Sequence, residues 1–303
     1  MSTVLLTGAA GFIGRAVHRR LKRIAVNYVA IDRQSAPTGQ SQNSDASICA
    51  CDLLDPVSLD ALFASHQFGT IIHLAAVLPG AASRDPISAT RVNVGASMAL
   101  LERATARGVR RFVFGSSSSV YGAAGTDAPI SEQTPAAATD VYGSAKRVVE
   151  IVGENLQRSG SIEFVALRIA TVIGPGARNT SSPWRSQIFE KLGGNETISL
   201  PYAPRDLLTV VHVDDVASML VTLAQAKRLQ HTIYNTPAEL LSAEQLKQTV
   251  ESVAAETKIE LSGRTRALAP LADGSRFMHE FGFEITPLQQ TLRAALLTSS
   301  KQI

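Results

Sequence analysis

Apolar positions along this chain fall into two periods that alternate. A short continuous run, Val4, Leu5 and Leu6, gives way to residues 12–24, where apolar positions recur at helical spacing; the stretch Thr7-Gly8-Ala9-Ala10-Gly11-Phe12-Ile13-Gly14 joins the two. That predicts strand, tight turn, helix. A second strand over 28–32 closes on Asp32, and a polar loop over 34–45 leads to a third strand at 48–50. Asp55, with Pro56 behind it, reads as the N-cap of a further helix. Residues 70–74 (Thr-Ile-Ile-His-Leu) are of the kind buried on both faces of a parallel sheet. A helical pattern over 89–107, a strand at 111–114 and a helix over 142–157 continue the alternation. After them come a returning strand at 207–211, a helix over 213–226, a short strand at 232–235, and helices near 242–255 and 287–297.

Strands that alternate with helices imply right-handed β-α-β crossovers, hence an α/β fold: a doubly wound parallel sheet of Rossmann type with a smaller C-terminal substrate lobe. Residues 1–170 and about 206–236 are expected to form the dinucleotide-binding domain, and about 171–205 and 237–303 the substrate lobe. Ligands in such sheets gather at the carboxyl ends of the strands.

Composition narrows the class. With 303 residues and 45% apolar side chains the chain can bury a full core, and a net charge of +3 is too small to indicate a polyanionic partner. No basic stretch with interleaved aromatics points to nucleic acid. Arg15, Arg19, Arg20, Lys22 and Arg23 all fall on the first helix and read as a solvated face. Cys49 and Cys51 are spaced for neither a redox pair nor zinc, the six histidines lack metal-site spacing, and no run approaches about 18 apolar residues. A soluble, cytoplasmic protein without a metal or a membrane contact is the expectation.

The candidate chemistry lies at the predicted sheet edge. Gly8, Gly11 and Gly14, spaced three apart, keep side chains out of the turn, so that with Phe12 and Ile13 the backbone can approach a pyrophosphate at the positive end of the helix. Asp32 stands where the ribose hydroxyls of NAD would be held. Asp52 could reach an adenine ring or could simply open the next helix. Ala75 and Ala76 are small enough to let a cofactor cross the strand end, and His73 reads as a packed strand residue. Four serines, Ser116 to Ser119, occupy the turn after the strand at 111–114. Tyr142 and Lys146 then stand one helical turn apart on one face. A phenol titrating near pH 10 is a poor base at neutral pH, and bringing it near 7 takes roughly 4 kcal/mol. The adjacent ammonium and a positive nicotinamide both act in that direction.

Together these residues resemble an extended short-chain dehydrogenase/reductase of the NAD-dependent epimerase/dehydratase family: Thr7 to Gly14, Asp32, Asp52-Leu53, His73-Leu74-Ala75-Ala76, Asn93, Ser117 to Gly122, Tyr142 with Lys146, Arg168, Gly174-Pro175, and the segment His212 to Ala217. The C-terminal residues Asp273-x-Ser275-Arg276 and Glu280-x-Gly282-Phe283 resemble the family's ending. The resemblance implies a catalytic set of Ser117, Tyr142 and Lys146, with Tyr142 as acid/base and Lys146 also holding the ribose. It implies NAD contacts from Gly8, Gly11, Phe12, Ile13, Gly14, Asp32, Asp52, Leu53, Leu74, Ala75, Ala76 and Asn93. Arg33 leaves NADP conceivable, yet the Asp32 carboxylate repels a 2′-phosphate. A homodimer through the helices at 89–107 and 142–157 is also implied.

Departures from the family pattern restrict the reaction. Sugar 4,6-dehydratases carry a carboxylate pair after the catalytic hydroxyl; Ser118 and Ser119 stand here, and neither can replace a carboxylate in proton transfer. Nucleotide-sugar epimerases show an asparagine where Thr171 follows Arg168. Ser118, Thr171, Arg178, Asn179 and Arg185 are candidate substrate contacts, with Ser181-Ser182-Pro183 as the cap of a helix begun by Trp184, Arg185 and Gln187. The layout from Arg168 to Ser182 is similar to family members that oxidise small sugar acids. The expected function is NAD-dependent oxidation of a secondary hydroxyl on a sugar or sugar-derived small molecule. The alternatives are a nucleotide-sugar epimerase proper and a non-catalytic redox sensor; sensors tend to lose the tyrosine or lysine kept here.

Overall fold

A computed structural model of the chain describes residues 3–33, 48–122, 128–177, 182–263 and 268–299. The first half runs β1 (Thr3–Thr7), α1 (Phe12–Arg23), β2 (Tyr28–Asp32), β3 (Ile48–Ala50), α2 (Pro56–Ser65), β4 (Phe68–His73), α3 (Pro79–Arg84), α4 (Pro86–Thr90), α5 (Ser97–Ala106), β5 (Arg111–Ser117) and α6 (Val141–Arg158). There follow β6 (Glu163–Ile169), β7 (Thr171–Ile173), α7 (Trp184–Glu190), β8 (Thr197–Leu200), β9 (Leu207–His212), α8 (Val213–Gln225), β10 (Ile233–Asn235), β11 (Glu239–Ser242), α9 (Ala243–Val253), β12 (Lys258–Leu261), α10 (Ser275–Phe281) and α11 (Leu288–Ser299). A π-helical segment, Arg91–Ala96, fuses α4 to α5.

Seven strands form one parallel sheet in the order β10-β6-β5-β4-β1-β2-β3. The chain leaves β1 for β2 on one side and returns to β4 on the other, so the crevice where strand order reverses opens beside β1. Successive side chains on a strand point to opposite faces. Leu6, Ile72, Val113 and Val165 therefore pack with Val17 and Leu21 of α1 and Val216 and Leu220 of α8. Their neighbours Leu5, Ile71, Phe112 and Phe164 pack with Leu59 of α2, Leu100 of α5 and Val149 of α6. Each such side chain, fully removed from water, contributes about 1.5–3 kcal/mol. That explains why the strands read as continuous apolar runs.

Two polar anchors hold the layers in place. The Arg111 side chain, completely buried, donates from Nη1 to the carbonyls of Leu223 and Ala226 at 2.6 and 2.7 Å and from Nε to Glu163 at 2.8 Å, closing the C-terminal end of α8. Arg168 grips Glu150 of α6 with two parallel bonds of 2.8 and 2.9 Å and donates to the Tyr121 hydroxyl at 2.9 Å. Ser116 adds a 2.6 Å bond to Glu150, and Tyr121 donates to Asn235 at 2.7 Å. Helix α6 is also seated very closely on β6: a Cβ at Gly153 would come within 2.3 Å of the Phe164 ring.

The remaining strands make smaller sheets. Within 206–236, α8 and β10 pack on or join the large sheet, whereas β9 hydrogen-bonds β7 and β11. Strands β8 and β12 form a parallel pair. A third core of Ile173, Trp184, Ile188, Leu200, Leu246 and Leu292 lies beneath these elements. Among the described residues no helix is long and apolar enough to cross a membrane.

Candidate active site

The ends of β1, β4 and β5 approach closely at glycines. A Cβ at Gly8, whose φ of +70° an L side chain rarely adopts, would lie 2.6 Å from the Ala75 nitrogen, and one at Gly14 would lie 2.0 Å from the Gly8 oxygen. Both glycines are thus required by the turn itself. Gly11 differs: its Cβ would meet only the Gly8 oxygen at 3.1 Å, and it is exposed at the head of α1. No side chain caps that helix. Its first-turn N–H groups, with Phe12 and Ile13 half-buried around them, fit an anionic ligand, because the start of a helix carries unsatisfied donors and partial positive charge.

Asp32 ends β2 beside this turn, accepting from the Ala10 nitrogen at 3.0 Å and the Arg33 nitrogen at 2.8 Å. Each carboxylate oxygen keeps a lone pair for a ribose hydroxyl. Asp52 is exposed and accepts from the Leu54 nitrogen at 2.9 Å, and Leu53 is buried in the turn after β3. Asn93, buried in the π-helical segment, accepts from the Val77 nitrogen at 2.7 Å and donates to the Val77 carbonyl at 2.9 Å. It thereby fixes the strand-end segment Leu74, Ala75 and Ala76. Glycine cradle, carboxylate and small strand end together fit a dinucleotide.

On the other side of this crevice the candidate catalytic groups converge. Asp140 caps α6, accepting from the Tyr142 and Gly143 nitrogens at 3.0 Å each. Gly143 lets the helix start touch the serine loop, since a Cβ there would stand 2.5 Å from the Ser119 oxygen. Tyr142 is thereby brought toward Ser117, whose hydroxyl acts to lower its proton affinity. The Ser117 hydroxyl also accepts from the Ser119 nitrogen at 3.1 Å and so turns the loop. One turn along α6, Lys146 is only 3% exposed; its Nζ donates to the Gly115 carbonyl at 2.7 Å and lies 4.6 Å from the Phe114 ring centre. A Cβ at Gly115 would strike Leu74, so the lysine is linked through β5 to the strand end beneath Gly8.

The electrostatics correct one expectation. Lys146 was expected to lower the proton affinity of Tyr142, but its Nζ is held on Gly115, 5.8 Å from the phenol ring centre. Burial dominates and pushes Tyr142 up to about 12, against the lowering influence of the Ser117 hydroxyl and the Arg185 charge. Burial likewise pulls Lys146 down to about 8, with Glu150 acting the other way. His73 is a satisfied core residue as expected. Its Nδ1 meets Thr7 Oγ1 at 2.7 Å, its Nε2 meets Ser97 Oγ at 2.9 Å, and burial followed by Lys146 pulls it down to about 3.

The expected substrate contacts separate. Arg185, in the first turn of α7, exerts its charge on Tyr142 and so belongs to the same region. Ser118 is buried in the serine loop and Thr171 in β7. Trp184 is core, edge-on to Tyr202, rather than a pocket wall. Of the expected Ser-Ser-Pro cap, Pro183 takes the N-cap position with helical dihedrals and makes no side-chain cap bond of its own. Arg178, Asn179 and Ser181 lie outside the described residues. Two neighbours of the site escaped sequence reading. Glu150, two turns beyond Tyr142, had a signal in its spacing on α6; Arg15 was grouped with the solvated arginines, and its position four residues after Gly11 was the available clue. Among the described residues no group of His, Cys, Asp and Glu could hold a metal ion.

Comparison with known proteins identifies the family. The family model described as the NAD dependent epimerase/dehydratase family matches residues 4–236. A UDP-glucose 4-epimerase from Erwinia amylovora is 31% identical over 218 residues, 63% of this chain and 64% of that protein. Across the first UDP-glucose 4-epimerases matched, the aligned part spans 50–64% of their length. A D-erythronate dehydrogenase from Cupriavidus necator is 30% identical over 268 residues, 83% of this chain and 82% of that one. The solved structure of MoeE5 with UDP-glucuronic acid and NAD superposes with a TM-score of 0.80 at 28% identity, covering 99% of this chain and 100% of that one.

Proposed function

This chain belongs to the NAD dependent epimerase/dehydratase family, and from that premise we propose that it is an NAD-dependent oxidoreductase of the extended short-chain type, acting on a secondary hydroxyl of a sugar or sugar acid. The observation that supports this reading is the contiguity of Gly8, Ala75, Leu74, Gly115 and Lys146, which runs from the glycine turn to the helix that bears Tyr142. Bound NAD would supply the hydride acceptor. Gly11 with the first turn of α1 would hold its pyrophosphate, Asp32 the adenosine ribose, and Lys146 the nicotinamide ribose through a proton not used on Gly115.

Ser117 would orient the substrate oxygen and Tyr142 would exchange its proton. With its proton affinity raised, Tyr142 is neutral at pH 7 and suited to donate during ketone reduction. To act as base in oxidation it needs further positive charge, which an oxidised nicotinamide carries. Arg185, near the phenol, suits the carboxylate of a sugar acid. The dehydrogenase reading is supported by the sequence match to the D-erythronate dehydrogenase, which runs over 83% of this chain against 63% for the Erwinia epimerase. Tyr142→Phe should leave NAD affinity within about threefold and abolish NADH production from an aldonate panel. Undiminished turnover overturns the assignment, and an isomerised product without net NADH favours an epimerase.

A homodimer is supported by Val148 and Ile151, exposed at 42% and 44% and three residues apart on the outer face of α6. A monomer by light scattering refutes it.

A further inference from the structure

One of the first helix's arginines does not fit the description of a solvated face. Arg15 is half-buried at the N-terminal end of α1, where the helix dipole disfavours a cation. Its Nη1 donates to the Ala10 carbonyl of the glycine turn at 2.5 Å, and its Nη2 donates to the Gly176 carbonyl at 2.7 Å, 161 residues away. Gly176 is in turn fixed through its own nitrogen, which donates to Ser186 Oγ at 2.9 Å and to Glu190 Oε1 at 2.8 Å, both on α7. Ser186 donates to the same Glu190 oxygen at 2.7 Å. Gly176 has a φ of +90°, and a Cβ there would stand 3.4 Å from Arg15 Nη2. Between Ser186 and the helix start lies Arg185, whose charge reaches Tyr142.

A continuous series of hydrogen bonds therefore runs from the glycine turn through Arg15 and Gly176 into α7. We propose that Arg15 is a positioning residue that transmits occupancy of the dinucleotide cradle to α7, so that cofactor binding orders the substrate side of the cleft. This rests on the reading of the glycine turn as an NAD site. The physical cause is that a pyrophosphate seated on the first turn of α1 brings negative charge close to the Arg15 guanidinium. The fork is then held more firmly, and with it the Gly176 carbonyl. Because such coupling is reciprocal, a ligand that orders α7 tightens NAD by the same factor.

Hydrogen exchange of peptides covering 172–177 and 184–190, with and without saturating NAD, tests this on the full chain. In the wild type NAD should slow exchange there at least fivefold. Arg15→Met should keep NAD affinity within about fivefold yet lose that protection. If Arg15→Met does not fold, the double variant Ser186→Ala/Glu190→Ala removes both acceptors of the Gly176 nitrogen, cuts the same series from its far end and should lose the protection likewise. Retention of the protection in a folded variant that binds NAD overturns the coupling and leaves the cofactor site standing. Failure of the wild type to bind NAD overturns both.

Discussion

Acid should unfold this protein through His73, and the size of the effect follows from its surroundings. The ring is 1% exposed, held between Thr7 and Ser97, flanked by the Phe112 and Phe114 rings, and repelled by Lys146. Its ordinary value of 6.5 in the unfolded chain falls to about 3 in the native state. Between those two values the unfolded chain binds a proton that the native chain does not, so stability is complete above pH 6.5 and is lost as pH falls toward 3. The slope is about 1.4 kcal/mol per pH unit for one proton, which makes about 3 kcal/mol between pH 6.5 and 4.5. Urea unfolding midpoints measured across pH 4–7.5 for the wild type and for His73→Gln give the difference curve directly. Lys146→Met should narrow the acid-sensitive range by relieving the repulsion. A flat difference curve, or an NMR titration of His73 near 6.5 in the native protein, would refute the reasoning.

Two further outcomes follow from the same geometry. At alkaline pH, Lys146, ordinarily 10.5, is pulled down to about 8, so the unfolded chain holds the extra proton between those values and stability should rise across pH 8–10.5. Tyr142, pushed from 10 up to about 12, retains a proton that the unfolded chain has lost, so stability should fall above pH 10. Chemical denaturation of the wild type against Lys146→Met checks the rise, and an unchanged curve counts against it. Among the glycines, Gly14→Ala should cost at least about 2 kcal/mol, since its methyl meets backbone, while Gly11→Ala should stay within about 1 kcal/mol of wild type and weaken NADH at least tenfold. Melting temperature and NADH fluorescence separate the two, and unimpaired NADH binding by Gly11→Ala would remove the cradle.

What could be read from the sequence was whatever leaves a local trace. The glycine spacing, the carboxylate at the end of β2, the Asp55 cap and the Tyr142–Lys146 pair each declare themselves within a few residues. Partner choice across long separations does not. Nothing near Lys146 announces that its ammonium will settle on Gly115, and nothing near Arg15 announces Gly176. The π-helical turn at Arg91–Ala96 was hidden inside an ordinary helical pattern. Strand β9 was recognised as a strand, yet its apolar run carries no sign of which sheet will take it. Pro183 shows the converse: a proline after two serines resembles a capped start, and the proline's own backbone is the boundary.

The close seat of α6 on Phe164 has a consequence for how this scaffold diversifies. With no space for even a methyl group at position 153, the phenol of Tyr142 and the ammonium of Lys146 ride on an anvil that cannot slide. Room to reshape the cleft for a new reactant therefore lies in the segment that carries Arg185 and not in α6.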